Sequence, residues 1–593
     1  MFERLRSGRK LEWATLVVFV VAYCTITSFH EPWFDEAQAW QIAKCGSIQD
    51  ILFEIPHYEG HPPLWHLILA IPAKLGVPFE LGLKAVGFVF STASIALILF
   101  KMPYPRFIRL LLPFSYFVFY QYGIIVRPYC AMLLLFLLLA LAFPSKDEKP
   151  WRFTILLMLL CLTGAYGMVV AAGVALCWTW DLVRSKGIAG FLKGVLCDKR
   201  TLSLISLLVL AIAIVLEIMP REDTLVTSSV RLNPFAVCLI CALFTFLPEC
   251  TIMKSTWFSA DRYLLQSVPI PFGELLTCCI VGIILWILVA SVGTKRNVKY
   301  LIVPYVLFAL FATMVYAISH HIGIALLIVL FWLGIAFQDN DRFELGRLVM
   351  AKLAHTQRDR KMARGAAIIF SSACLAVPIY WSVAASISDI QVDYSYGRSA
   401  ERFLRETGLG AVRIMAGGDA ALSVFRPDSA DSDNYLNTCT VSTPVLINAY
   451  FGRNICENLN GGSDDEAYVH HRVPSREQSR ADLIEWASEG LPDVLLGKNG
   501  LEKAFGDEAL NDYVPVYVLE TNYAWKDSVS HGRTPVYLRS DLLETYGLER
   551  LNDPKYALAV GLVVTDEMQE AYENGASLDE IIDPVLDQVF GDN

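Results

Sequence analysis

The sequence predicts a polytopic α-helical membrane protein of about 11–13 membrane helices with a C-terminal soluble α/β domain. Three observations predict it. The chain of 593 residues is 55% hydrophobic and only 18% charged, whereas a soluble globular chain is roughly one-quarter charged. The apolar runs are confined to residues 11 to about 385, and the rest has the make-up of ordinary soluble protein. Basic residues recur in clusters between the apolar runs, the pattern that orients membrane helices.

Arg4, Arg6, Arg9 and Lys10 precede the apolar stretch Leu11–Phe29. That stretch is long enough to span a bilayer, and no small-residue cleavage site follows it, so it reads as the first membrane helix rather than a removed signal. Further apolar segments lie at about 63–79, 81–100, 107–122, 128–143, 152–164, 166–183, 202–219, 234–249, 269–292, 299–318, 321–337 and 364–385. Basic clusters stand at the N-terminus, Lys101–Arg109, Arg184–Arg200, Lys295–Lys299 and Arg342–Arg364. Placing these in the cytoplasm puts residues 30–62, 121–128, 163–167, 220–268, 318–321 and all after 386 outside. The count is about eleven crossings if the short segments 63–79 and 234–249 do not fully cross, and about thirteen if they do. Either odd number leaves the C-terminal domain outside a multi-pass protein of the plasma membrane, with a cytoplasmic N-terminus. The domains expected are 1–385, holding the first extracytoplasmic loop 30–63, and 386–593.

After residue 385, Ser399–Thr407 reads as a short helix, and Ala411–Met415, Val494–Leu496, Val514–Leu519 and Pro535–Leu538 read as strands. The Gly417-Gly418-Asp419 triplet reads as a turn, not a dinucleotide fingerprint. The net charge is −10, from 59 acidic and 49 basic residues, with the acid concentrated in this domain. A nucleic-acid partner is excluded, because phosphate backbones need a basic face. Most of the 14 cysteines lie in apolar segments as small buried residues. Cys439 and Cys456 stand alone in the soluble domain, and a disulfide between them is left open.

The chemistry concentrates in polar stretches that fall on the same membrane face. In the first loop, Asp35 and Glu36 follow a membrane helix among Trp33, Phe34 and Trp40. A carboxylate in a partly dry aromatic setting has the properties of a general base, and Asp35 is equally suited to cap the helix that follows. His57, Glu59 and His61 precede the Pro62-Pro63 pair. In an extended segment their side chains share one side, which suits a divalent metal with Asp35 or Glu36 as a further ligand. An ordinary polar loop, with the prolines starting the next helix, accounts for them as well. Arg127, in the stretch Arg127-Pro128-Tyr129, is a boundary cation suited to bidentate phosphate binding or to snorkelling. His320 and His321 occupy a tight turn between apolar segments, as phosphate donors or as a polar turn. Their convergence on one face raises the functional reading above what each residue carries alone.

The stretches PWFDEAQAW and HYEGHPPLWHLIL resemble the first loop of GT-C glycosyltransferases, most closely the large bacterial family related to rhizobial lipopolysaccharide galacturonosyltransferases. Protein O-mannosyltransferases and the lipid A aminoarabinose transferase are more distant members of that fold. YQYGIIVRPYCAMLLLFLL and SHHIG are similar to two further stretches of the family, and the likeness covers roughly residues 10–340. The resemblance implies that Asp35 is the catalytic base and Glu36 its acidic partner. It also implies that Glu59, His61, Arg127, Tyr129, His320 and His321 contact substrate. The chain departs from the family at Ile125, where many members carry glutamate, and at Ser319, where arginine is common.

The implied reaction is inverting transfer of a sugar from a polyprenyl-phosphate donor to a glycan, lipid or protein hydroxyl outside the cytoplasm. A phosphate leaving group needs little acid assistance, so one base suffices, unlike glycoside hydrolysis. No cofactor is required, and a divalent metal at Glu59 and His61 stays an option. Two rivals stand beside this reading. One is a lipid or glycan transporter, for which Glu217, Asp181 and His66 are the ionisable candidates, all near segment ends. The other is a non-catalytic polyprenyl-lipid-binding member of the same fold.

Overall fold

The computed structural model describes residues 9–194, 197–224, 272–315, 319–353, 356–416, 442–472, 490–497, 511–526 and 528–551. The chain is mostly helical with a small sheet, and its composition and helices are compatible with a membrane protein. It divides into two compact units that interleave along the sequence. The first is 1–32, 47–392 and 524–529, and the second is 33–46, 393–523 and 530–593.

In the first unit, five helices among the described residues are long and apolar enough to cross a membrane. They are Lys10–Phe29, Phe79–Phe100, Ala165–Phe191, Lys199–Glu217 and His320–Gln338. Others are shorter: helix Leu64–Lys74 has 11 residues, which at the α-helical rise is about 16 Å, half of a ~30 Å hydrocarbon core. The segment 234–249 lies outside the described residues. The apolar stretch at 107–122 is not one α-helix. Helix Arg106–Leu111 gives way to a 3-10 turn at Leu112–Phe114, where Pro113 has no N–H to continue the ladder. A π-helix, Tyr116–Ile124, follows.

Ion pairs and hydrogen bonds engage several charged residues at the helix ends. Arg106 donates twice to the buried Glu12 (3.0 and 3.1 Å), and Arg109 approaches the same carboxylate. Trp178 Nε1 donates to Asp147 at 3.0 Å, Arg200 binds Asp198, and Lys299 and Tyr300 bind Asp181. These contacts join the N-terminal helix to the loop near 106, and the residues near 147 and 299 to helix Ala165–Lys193. Arg200 and Lys186 hold the Asp198 carboxyl well below the usual carboxylate range. The long helix Ala165–Lys193 crosses Lys299–Met314 so closely that a Cβ on Gly173 would stand 2.7 Å from Pro304 Cα.

In the second unit, β1 (Ile414–Ala416) pairs parallel with β2 (Val494–Leu496), in register Ile414↔Val494. β2 pairs antiparallel with β4 (Ser528–Arg539), which adjoins β3 (Tyr513–Trp525), giving the order β1-β2-β4-β3 among the described residues. The helix expected at Ser399–Thr407 stands at Gly397–Glu406. Helix Phe34–Cys45 of the first loop packs on helix Ser442–Phe451. The Gln38 amide clamps the backbone of Val469, donating at 2.7 Å and accepting at 3.0 Å. Lys44 Nζ donates to Gly452 O at 2.5 Å. Cys439 and the Gly417-Gly418-Asp419 turn lie outside the described residues.

Candidate functional site

The first unit brings Arg127, Tyr129, His320 and His321 into one cluster. Arg127 follows the π-helix, and the histidines sit in a 3-10 turn, Ser319–Gly323, that opens helix Ile324–Gln338. Arg127 Nη1 lies 2.7 Å from His320 Nε2. Arginine only donates, so His320 Nε2 accepts and the proton of the neutral ring is on Nδ1. The Arg127 guanidinium lies 5.3 Å from the Tyr129 ring centre, within cation–π range. Tyr129 stacks on Tyr122 at 4.8 Å, and the Tyr122 hydroxyl donates to His320 O at 2.7 Å. The two imidazoles are 4.2 Å apart, and His321 also faces Tyr166 at 4.5 Å.

Two local devices hold this geometry. The π-helix carries i,i+5 contacts: Tyr116 bonds Gln121, and Phe117 packs on Tyr122. π-Helical segments are rare and recur at functional sites. Gly323 permits the approach of the histidine turn, since a Cβ there would meet Phe117 Cδ1 at 2.3 Å and the Tyr122 hydroxyl at 2.5 Å.

The first-loop residues are placed differently from their expected geometry. His57 and Glu59 are not in an extended segment: Ile55–Glu59 is a helical turn closed by Gly60 at φ +64°. Residues two apart on a helix point to different sides, so the spacing argument for a shared face fails. His57 Nδ1 instead contacts Met219 O at 2.8 Å. His61 is exposed, just past that helical turn. Among the described residues no group of three or more His, Cys, Asp or Glu side chains is arranged to hold a metal ion.

In the second unit, Asp35 and Glu36 occupy the first turn of helix Phe34–Cys45. The cap residue is Trp33, and the Glu36 carboxylate accepts its N–H at 3.1 Å. Glu36, not Asp35, therefore closes the helix start, and it is buried while Asp35 is half-buried. Gln41, one turn further on, is fully buried with neither amide atom hydrogen-bonded among the described residues.

Sequence reasoning missed a second polar cluster of the first unit. His30 Nδ1 lies 2.8 Å from Asp389 Oδ2, and the Tyr120 hydroxyl donates to Asp389 Oδ1 at 2.9 Å. Lys526 is 1% exposed, its N–H bonds the Tyr116 hydroxyl, and its ammonium lies 5.4 Å from the Trp381 ring centre. Asp389 sits near the C-terminal end of the 35-residue helix Gln357–Gln391, beyond its apolar stretch 364–385, where a carboxylate is commonplace in sequence. Lys526 likewise stands in a polar stretch of the sequence. Comparison of the chain with family models, curated proteins and solved structures finds no match.

Proposed function

We propose that the chain is an integral membrane glycosyltransferase of GT-C type. It transfers a sugar from a polyprenyl-phosphate donor to an acceptor hydroxyl on the extracytoplasmic side of the plasma membrane. The observation that carries this reading is the Arg127–His320–His321–Tyr129 cluster, at the start of an apolar helix long enough to span a bilayer. A lipid phosphate lies at headgroup depth, and an arginine with imidazole N–H donors is the chemistry that binds it.

The proposed reaction is a single displacement. The acceptor oxygen attacks the anomeric carbon, the bond from that carbon to the phosphate oxygen breaks, and the polyprenyl phosphate departs with the electron pair. Asp35 takes the acceptor proton. Glu36 is engaged in capping its own helix, so Asp35 is the acidic residue of the pair assigned to proton transfer. Arg127 and the histidines stabilise charge as it develops on the phosphate. On this reading the shorter apolar helices complete a set of about 11–13 membrane helices, and Leu64–Lys74 stays in one leaflet.

The test is a transfer assay with purified protein and synthetic polyprenyl-phosphate sugars. Release of polyprenyl phosphate with inverted configuration at the transferred sugar supports the reading. Vectorial movement of intact lipid without bond cleavage would replace it with the transporter alternative.

A further inference from the structure

We propose that the segment 342–353, with the neighbouring turn at 295–296, is a docking surface for the anionic headgroups of the adjoining membrane leaflet. Arg342, Arg347, Lys295 and Arg296 meet lipid phosphates, and the Phe343 ring dips beneath them. The inference does not depend on the transfer reaction proposed above.

The segment follows His320–Gln338, a helix long enough to cross a bilayer, and is fastened to the end of a second apolar helix, Phe272–Ser291. Phe343 N–H donates to Val292 O at 2.7 Å, and Leu345 N–H donates to Gly293 O at 3.1 Å. The Glu344 carboxylate accepts from Lys295 N–H at 3.0 Å. A Cβ on Gly346 would stand 2.8 Å from Ser291 O, so helix Glu344–Leu353 lies directly on that helix end. An element fixed to the ends of two apolar helices is held where hydrocarbon gives way to headgroups.

Charge is segregated in this element. Asp339 accepts from Asn297 Nδ2 at 3.1 Å and from Asp341 N–H at 3.0 Å, and Glu344 is engaged by Lys295 N–H. The bases face the other way: Lys295, Arg296, Arg342 and Arg347 are all exposed. None of the four is in an ion pair among the described residues, and Arg342 and Arg347 each reach one backbone carbonyl, at 3.5 Å. Four outward cations beside a single exposed carboxylate, Asp341, complement an anionic layer. Guanidinium groups grip phosphate oxygens in bidentate fashion, and ammonium groups act as point charges.

A strained aromatic stands between the two arginines. Phe343 has φ +67°, and its ring is 44% exposed, with one side facing Phe337 at 6.2 Å. A bulky side chain in the left-handed region costs free energy and persists only where its surroundings hold it. Here the strain keeps an apolar ring in the open, and Leu348, one turn into the helix, is exposed as well. Exposed apolar side chains flanked by cations are the pattern of an interfacial element: the apolar groups enter beneath the headgroups and the cations stay at phosphate level. An acidic protein surface would meet the same cations, but the position at the helix ends selects lipid.

The experiment titrates the full chain, purified in a neutral detergent, with phosphatidylglycerol or with phosphatidylcholine of the same acyl chains, and follows the melting temperature. The wild-type chain is expected to respond at a lower concentration of phosphatidylglycerol, an advantage that shrinks as salt is raised. Arg342→Gln combined with Arg347→Gln should raise the phosphatidylglycerol concentration for half of the response by about tenfold or more, with the phosphatidylcholine response unchanged. Lys101→Gln combined with Lys149→Gln removes the same charge from other exposed positions and should shift it far less. Phe343→Gly suits the backbone angle, so it should keep or raise the melting temperature without lipid while weakening the phosphatidylglycerol response severalfold.

Equal wild-type responses to the two lipids overturn the proposal. So does an undiminished phosphatidylglycerol response in the arginine pair, or an equal loss in the lysine pair. If the arginine pair fails to fold, Phe343→Gly carries the test: a stable variant with the wild-type lipid response overturns the proposal. None of these outcomes bears on Arg127 or Asp35, so the donor-site reading stands or falls separately.

Discussion

At the scale of single residues, groups that adjoin in sequence are placed differently in the structure. Asp35 and Glu36 are neighbours, but Glu36 caps the helix and Asp35 does not. Asp35→Asn is expected to lower transfer by about two orders of magnitude or more, the usual worth of a general base, with the melting temperature unchanged. Glu36→Ala is expected to lower stability by about 1 kcal/mol through the lost cap, measured by thermal unfolding. The position of the acidic pair at a helix start was legible, because an acidic pair following an apolar span is conspicuous. The division of labour within the pair was not, since it depends on which carboxylate meets the Trp33 N–H. Arg127 and His320 were legible one at a time as polar residues at segment ends. Their 2.7 Å contact joins positions 193 residues apart, and no local pattern announces that.

At the scale of elements, the π-helix and the histidine turn form one packed pair. Gly323→Ala forces a methyl against Phe117 and Tyr122 and is expected to cost about 1–3 kcal/mol through overpacking. It should weaken lipid-phosphate binding as the turn shifts, which calorimetry or thermal shift would register. The apolar run at 107–122 looked continuous because composition alone does not show where Pro113 ends the α-helical ladder. Elsewhere a cap couples stability to pH. Asp198 accepts from Arg200 N at 2.9 Å and pairs with the Arg200 guanidinium at 2.8 Å. Its carboxyl is held below the ordinary range, so its stabilisation is complete above about pH 4 and is lost as the pH falls toward the lower folded-state value. Asp198→Ala should therefore cost about 1–2 kcal/mol near neutrality, and thermal unfolding at about pH 3 should show a smaller difference.

At the scale of the whole molecule, the sequence charge pattern predicts an ordering of the loops, with the basic clusters on one side of the membrane. Exposed Glu148 and exposed Gln49 are expected on opposite sides of the membrane. A cysteine at position 49 should react with an impermeant maleimide in intact cells, and one at 148 only after permeabilisation. The apolar segments and the four strands of the sheet were legible because burial imposes periodicity and composition locally. The interleaving of the two units was not, because helix Phe34–Cys45 finds its partner Val469 431 residues away through one glutamine amide. The central claim, that the chain spends a polyprenyl-phosphate sugar using Asp35 as base, is tested most directly by lipid analysis of cells lacking the chain. Such cells are expected to accumulate one polyprenyl-phosphate sugar, which the wild-type chain clears and Asp35→Asn does not. Clearance by Asp35→Asn at the wild-type rate, or no accumulated lipid-linked sugar and no altered extracytoplasmic glycan, would contradict it.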